Sequence, residues 1–152
     1  QRRTNLPATL LLLDIDDYET INDRFGFPCG DSVLERMARL LSSRSRVGDV
    51  LCRVGRERFA LWLEGAEERG AGQKAKLLAN LARELKIGSA DDEIEVSVCI
   101  GGAVSLPRGS STLRQMTEQA IIALGQAKQQ GHGQWKINPP VEYTTEEENR
   151  NV

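Results

Sequence analysis

Arg46-Val47-Gly48-Asp49-Val50-Leu51-Cys52-Arg53-Val54-Gly55-Arg56-Glu57-Arg58-Phe59 is the stretch on which the fold turns. Two strand-like halves, Val50–Val54 and Phe59–Leu63, meet at Gly55-Arg56-Glu57-Arg58. A glycine and three charged residues between two β-prone runs predict a hairpin whose tip faces solvent or ligand. Positive charge also collects here. Between Arg36 and Arg58 stand seven arginines (36, 39, 44, 46, 53, 56 and 58) against Asp49 and Glu57, a local +5 in a chain of formal net charge −2. The remainder carries −7, so an anion-binding region near the hairpin is expected.

Toward the N-terminus, Gln1–Asn5 is a polar lead-in, and Thr9–Leu13 is apolar without alternation. That is the pattern of a central strand covered on both faces. It ends in Asp14-Ile15-Asp16-Asp17. Carboxylates closing a buried strand must be solvated, paired or bound to a cation, and strand ends of such sheets are where ligands collect. Tyr18–Phe25 reads as a short helix stopped by Gly26 and Pro28. Gly30 or Asp31 then caps a second helix, apolar at Val33, Leu34, Met37 and Leu41.

Beyond the hairpin, Glu64–Gly72 reads as a loop and Gln73–Lys86 as a helix, broken by Gly88–Asp92. Ile94, Val96, Val98 and Ile100 alternate with Glu95, Ser97 and Cys99, which predicts a strand with one packed face. Gly101-Gly102 marks a bend or a close backbone approach, and Pro107–Ser111 a turn. Thr112–Gln130 is a long helix ended by Gly131-His132-Gly133, and Gln134–Ile137 a last strand. Residues 1–137 form one domain on this reading, and 138–152 an acidic tail or linker. The element order gives an α+β sandwich, one mostly antiparallel sheet with helices on its faces.

Three cysteines, odd in number and without a Cys-x-x-Cys pair, argue for a reducing compartment and against a disulfide or zinc framework. Cys29 lies in a Pro-Cys-Gly turn just before a helix. No apolar run is long enough to span a bilayer and no secretory signal is visible. A cytoplasmic location is expected, although a parent chain could be membrane-anchored. The +5 zone lacks the interleaved aromatics of an RNA-binding face, so nucleic acid is disfavoured.

Five spaced motifs resemble the GGDEF domain of diguanylate cyclases, over about Leu6 to Ile137. The signature Gly-Gly-Asp/Glu-Glu-Phe stands as Gly55-Arg56-Glu57-Arg58-Phe59. Asp14-Ile15-Asp16-x-Tyr18-x-x-Ile21-Asn22-Asp23 is similar to the family's Asp-Ile-Asp-x-Phe-Lys-x-Ile-Asn-Asp. Gly26-x-x-x-Gly30-Asp31 matches its Gly-His-x-x-Gly-Asp spacing, with Phe27 for histidine. Ser97-x-x-Ile100-Gly101 falls at its Ser-x-Gly. Ala123-Leu124-x-x-Ala127-Lys128-x-x-Gly131 fits its Ala-Leu-Tyr-x-Ala-Lys-x-x-Gly, with Gly125 for tyrosine.

The resemblance implies a nucleotide-cyclase-like sandwich whose signature hairpin meets a partner domain, each holding one GTP and magnesium. Asp14, the Ile15 carbonyl and Glu57 would be the metal ligands, Asn22 and Asp31 would read the guanine edge, and Lys128 would hold phosphate. The departures point away from turnover. Arg58 replaces a catalytic glutamate, Arg56 a glycine, Glu19 a phosphate-facing lysine and His132 an arginine, so a degenerate domain is expected. Magnesium is expected only if nucleotide occupies that site. Upstream, Arg46-x-x-Asp49 has the position of the family's inhibitory site for cyclic di-GMP; a guanidinium and a carboxylate suit guanine edges or phosphate.

The resulting expectation is a regulatory module in cyclic di-GMP signalling, binding cyclic di-GMP or GTP, joined in its parent to a sensor or phosphodiesterase-type domain and able to form a homodimer. Residual cyclase activity and a purely dimerising or protein-docking role are the alternatives. At the level of single residues, bland readings stand beside these. Asp16 and Asp17 could solvate a strand end, Asn22 and Asp31 could cap helices, His132 could be a turn residue, and Arg46 and Asp49 could form a loop ion pair.

Overall fold

The structure, a computed structural model, describes residues 6–89, 91–106 and 111–140. In chain order the described elements are β1 (Ala8–Ile15), α1 (Tyr18–Phe25), α2 (Phe27–Ser43), β2 (Val50–Arg53), β3 (Arg58–Glu64), α3 (Glu68–Ala82), β4 (Lys86–Ile87), β5 (Ile94–Glu95), β6 (Val98–Ser105), α4 (Leu113–Gln129) and β7 (Trp135–Asn138). The main sheet has the order β2-β3-β1-β6-β7 and is antiparallel except for the β6–β7 pair. Strands β4 and β5 form a separate ribbon. This is the expected α+β sandwich with its signature hairpin.

β1 is central, and all eight of its residues are buried. Successive side chains point to opposite faces, so Leu11, Leu13 and Ile15 join the core beneath α1, α2 and α3, while Leu10 and Leu12 join a smaller core beneath α4. Covering both faces is what removes alternation from the sequence. Each buried leucine is worth about 2 kcal/mol of transfer free energy.

Helix boundaries differ from expectation where glycine and proline play packing or entry roles. α2 starts at Phe27, with Gly26 (φ 91) before it and Pro28 in its first turn. Proline is tolerated there because the first amides of a helix lack intrahelical partners. Gly30 and Asp31 are therefore interior, neither is the cap, and Cys29 belongs to the helix. α3 begins at Glu68, inside the expected loop, and ends at Ala82. Its Gly72 is a packing contact: an added Cβ would lie 3.2 Å from the Trp135 ring.

The expected strand over Ile94–Ile100 is two pieces, β5 and β6. β6 is packed on both faces, Cys99 included, because α4 lies over the second face. Its glycines mark a close approach: a Cβ on Gly101 would stand 2.1 Å from the Leu124 amide nitrogen. α4 opens with a capping box, in which Thr112 Oγ1 accepts from the Gln115 amide and Gln115 Oε1 from the Thr112 amide. The last strand runs one residue later than expected. The turn at residues 107–110 and the tail at 141–152 lie outside the described residues.

α4 leaves the β2–β3 end of its face uncovered, where Val50, Cys52, Trp62, Leu113 and Ile121 line an apolar cleft of about 590 Å³. Among the described residues no helix is long and apolar enough to cross a membrane, and Cys29, Cys52 and Cys99 are all free.

Candidate functional site

Asp14, near the end of β1, stands directly across from Arg58, the first residue of β3. That register sets the chemistry of the hairpin tip. Arg58 Nε donates to Asp14 Oδ1 at 2.6 Å and Nη2 to Oδ2 at 3.0 Å, while Lys128 Nζ, from the last turn of α4, reaches Oδ2 at 2.5 Å. The Asp14 side chain is 7% exposed. Burial pushes its carboxyl up, but the hydrogen bonds and charges of Arg58 and Lys128 outweigh burial and hold it below the usual carboxylate range. Reciprocally, the bond to Asp14 raises Arg58 against the opposing effect of burial.

The hairpin is held in shape by its own arginine. Val54 donates its amide to the Arg58 carbonyl at 2.9 Å, and the Arg53 guanidinium donates to the carbonyls of Gly55 (3.0 Å) and Arg56 (2.6 Å). The Ile15 amide donates to the Glu57 carbonyl at 3.1 Å. Asp14, Ile15, Glu57 and Lys128 thus share one open cavity of about 500 Å³, walled also by Asp16, Asp17, Tyr18, Glu19 and His132. Arg56 lies over the Tyr18 ring, 5.2 Å from its centroid, and within 3.7 Å of Glu19 and 3.9 Å of Glu57.

The floor is pinned from below. Asp16 Oδ2 accepts from Ser97 Oγ at 2.7 Å and from the Gly133 amide at 2.8 Å. The Cys99 thiol, pushed up to about 11 chiefly by burial, stays protonated at neutral pH and donates to the Gly131 carbonyl at 3.3 Å. These bonds fix the loop that follows Lys128. His132 Nε2 lies 3.0 Å from Asp17 Oδ2 at the rim.

This donor set does not fit a divalent cation. Magnesium takes oxygen ligands with little competition from fixed positive charge, yet both Asp14 oxygens already accept from cations. At about 4 Å and an effective dielectric of about 20, a divalent ion would be repelled by roughly 8 kcal/mol per fixed positive charge. Among the described residues no three His, Cys, Asp or Glu side chains converge as a metal site.

Asn22 and Asp31 do not line this cavity. Asn22, on α1, is buried, and its Oδ1 has no hydrogen-bond partner among the described residues. It sits on Gly30 of α2, where an added Cβ would come within 1.8 Å of that oxygen; Asp31, the next residue, is exposed. A buried acceptor left open in this way is uncommon.

Arg46 and Asp49 lie elsewhere, in a groove of about 330 Å³ between the loop before β2 and the start of α3. They make no side-chain ion pair. Instead the Arg46 amide donates to Asp49 Oδ2 at 3.0 Å and the Asp49 amide to the Arg46 carbonyl at 2.9 Å. The carboxylate closes the turn, and the exposed guanidinium has no hydrogen bond or salt bridge among the described residues. Arg69 and Lys74 of α3 line the same groove. Burial pushes the Lys74 ammonium down, and Arg46 and Arg44 push the same way against Asp49; Lys74 Nζ donates to the Arg44 carbonyl.

The sequence reading missed three participants. Asp16 is an anchor, a role signalled only by Ser97 standing in a spaced motif. Arg69 falls in the expected loop Glu64–Gly72, which the structure folds into α3, and Lys74 falls in the expected helix with no sequence signal that it faces Arg46. The +5 zone is also no single patch: Arg53 staples the hairpin, Arg36 donates to the Lys86 carbonyl, and Arg58 is paired.

Known proteins share this sequence pattern and fold. The model of the family described as "Diguanylate cyclase, GGDEF domain" matches residues 1–134. Diguanylate cyclase A of Treponema denticola is 31% identical over 123 residues, which are 81% of this chain and 33% of that protein. The active GGEEF domain of a diguanylate cyclase from Vibrio cholerae superposes with a TM-score of 0.77 at 27% identity, covering 87% of this chain and 83% of that one. The GGDEF domain of DgcB from Caulobacter crescentus, solved with cyclic di-GMP, shares the fold with a TM-score of 0.80 at 21% identity, over 87% of this chain and 76% of that one. The chain spans about a third of the length of the curated relatives it matches. With a family model covering nearly all described residues and the strand order placing the signature hairpin beside Asp14, the chain belongs to the GGDEF domain family of diguanylate cyclases.

Proposed function

We propose that this domain is a degenerate GGDEF module that binds cyclic di-GMP at Arg46 and Asp49 and regulates the protein that contains it, without useful cyclase turnover. The observation that carries the reading is the free guanidinium of Arg46. Asp49 accepts from the Arg46 backbone amide, and the Arg46 side chain lines a groove with Arg69 and Lys74 and has no hydrogen bond or salt bridge among the described residues. Guanidinium and ammonium groups arranged this way suit a phosphate and a guanine O6/N7 edge.

Loss of turnover is supported by Arg58. A glutamate at that position could move a proton or bind a cation; a guanidinium does neither, and loss of one acid/base group costs roughly a hundred- to ten-thousand-fold in rate. GTP binding without turnover is the second reading, favoured by the buried Asn22 Oδ1, which has no hydrogen-bond partner among the described residues and could accept from a guanine N–H once exposed to it. A place beside a sensor or phosphodiesterase-type domain, and self-association, belong to the same proposal.

Calorimetric titration of cyclic di-GMP into wild type and Arg46→Ala tests the first reading. Binding in the wild type, weakened tenfold or more in the variant, supports it; equal affinity in both refutes the site. Titration with GTP in EDTA, repeated on Asn22→Ala, tests the second. Incubation with GTP and magnesium at high protein concentration tests turnover, and product above an Asp14→Ala control would refute its absence.

A further inference from the structure

We infer that Arg58 stands where a divalent cation would otherwise bind, so that the Asp14 carboxylate at the hairpin tip is occupied by cationic side chains of the chain itself and takes up no such ion until Arg58 is removed. The inference concerns the opposite end of the hairpin from Arg46 and does not depend on cyclic di-GMP binding there.

Three observations carry it. The guanidinium engages Asp14 through two nitrogens, a planar fork on a planar carboxylate, so both oxygens are occupied at once. Lys128 adds a second cation to Oδ2, and the Asp14 side chain is 93% buried, so solvent cannot easily replace either partner. Of the other carboxylates lining the cavity, Glu57 and Glu19 lie beside Arg56, which is seated on the Tyr18 ring, Asp16 accepts from Ser97 and the Gly133 amide, and Asp17 lies beside His132. An entering ion would have to expel a guanidinium that never loses its proton at accessible pH. No change of pH in the stable range releases Asp14 to it.

The register explains why one residue suffices. Because Asp14 and Arg58 are cross-strand partners, whatever occupies position 58 is delivered to the Asp14 carboxylate. A guanidinium closes the site; a carboxylate there would stand beside Asp14 and Glu57 and turn the cavity floor into an oxygen-rich cation site.

The test uses manganese(II) as probe, at about physiological salt, by electron paramagnetic resonance of free ion and by broadening of the amide resonances of residues 14–17 and 57. Wild type is expected to show neither stoichiometric uptake nor selective broadening. Arg58→Glu is expected to gain about one ion per chain, lost again in the Arg58→Glu/Asp14→Asn double variant. Should Arg58→Glu not fold, Arg58→Gln removes the charge while keeping a polar side chain, and selective broadening in it but not in wild type makes the same point. Stoichiometric, Asp14-dependent uptake by wild type would overturn the inference. So would a folded Arg58→Glu or Arg58→Gln chain that remains blind to manganese. Cyclic di-GMP titrated into the same samples reports the Arg46 groove separately.

Discussion

Arg46 and Arg58 stand on either side of the same strand, β2, and meet opposite fates. Arg58 faces a carboxylate across a β-ladder and is consumed by the protein itself. Arg46 lies in a turn whose carboxylate accepts from a backbone amide, and its exposed guanidinium has no hydrogen bond or salt bridge among the described residues. The difference teaches that an arginine beside a cavity is available to a ligand only when the fold gives it no internal partner. Which of the two holds is set by register and by turn geometry, not by residue type.

The division can be attacked from the scaffold first. Lys128 reaches Asp14 because α4 lies against β6 at Gly101, where a Cβ would stand 2.1 to 2.6 Å from backbone atoms of Leu124 and Ala120. Helix backbone cannot yield as a side-chain tip can. Gly101→Ala is therefore expected to cost about 3 kcal/mol in urea unfolding and to displace Lys128 from Asp14. Cyclic di-GMP binding at the remote groove should survive wherever the variant is folded. Loss of both together would mean that the two regions are one cooperative site.

Arg58→Ala comes next. It leaves the Asp14 carboxylate with Lys128 alone, and removing one partner from a buried pair costs several kcal/mol when both groups are fully buried. Arg58 is about a third exposed, so solvent screening reduces the expected loss to about 2 kcal/mol by urea unfolding. Arg46→Ala, by contrast, should fall within about 0.5 kcal/mol of wild type. Equal losses at the two positions would erase the distinction between paired and free arginine.

Acid titration sharpens the same point. Asp14 has its folded value held below the unfolded one of about 3.9. Its pairing therefore stabilises the fold above that unfolded value, and the stabilisation disappears as pH falls through the folded value. Asp14→Asn should be less stable than wild type at neutral pH, and its stability should fall less between about pH 4 and pH 2. Parallel acid limbs for the two proteins would show that Asp14 is not held ionised by Arg58 and Lys128.

Much of this was legible in the sequence. The central strand, the hairpin, the α4 helix and the mostly antiparallel sheet follow from apolar periodicity and from two kinds of punctuation, glycine at the hairpin and Gly131-His132-Gly133 after the helix. What failed was local. Pro28, Gly70 and Gly72 were read as breaks, whereas the first enters a helix and Gly72 makes room for Trp135; both roles depend on a neighbour that periodicity cannot supply. In the site, the resemblance implied one metal and nucleotide site; Asp14, Ile15, Glu57 and Lys128 do line one cavity, Asn22 and Asp31 do not, and the sequence could not show that Arg58 reaches Asp14, because that needs the β1–β3 register. Nor could it show that Asp49 turns to the Arg46 amide and away from the guanidinium.

The smallest expected effect probes what the groove does with its second cation. Lys74 is half-buried beside Arg44 and Arg46, an arrangement that disfavours its own charge and stabilises the fold little. Lys74→Gln retains a donor for the Arg44 carbonyl but removes the charge, so folding stability should stay within about 0.5 kcal/mol of wild type. If an incoming phosphate is what this ammonium awaits, cyclic di-GMP affinity should fall about fivefold, roughly 1 kcal/mol, and its dependence on salt should flatten. A destabilised Lys74→Gln chain with unchanged affinity would assign the lysine to tethering the Arg44 carbonyl, and leave Arg46 and Arg69 as the cations of the groove.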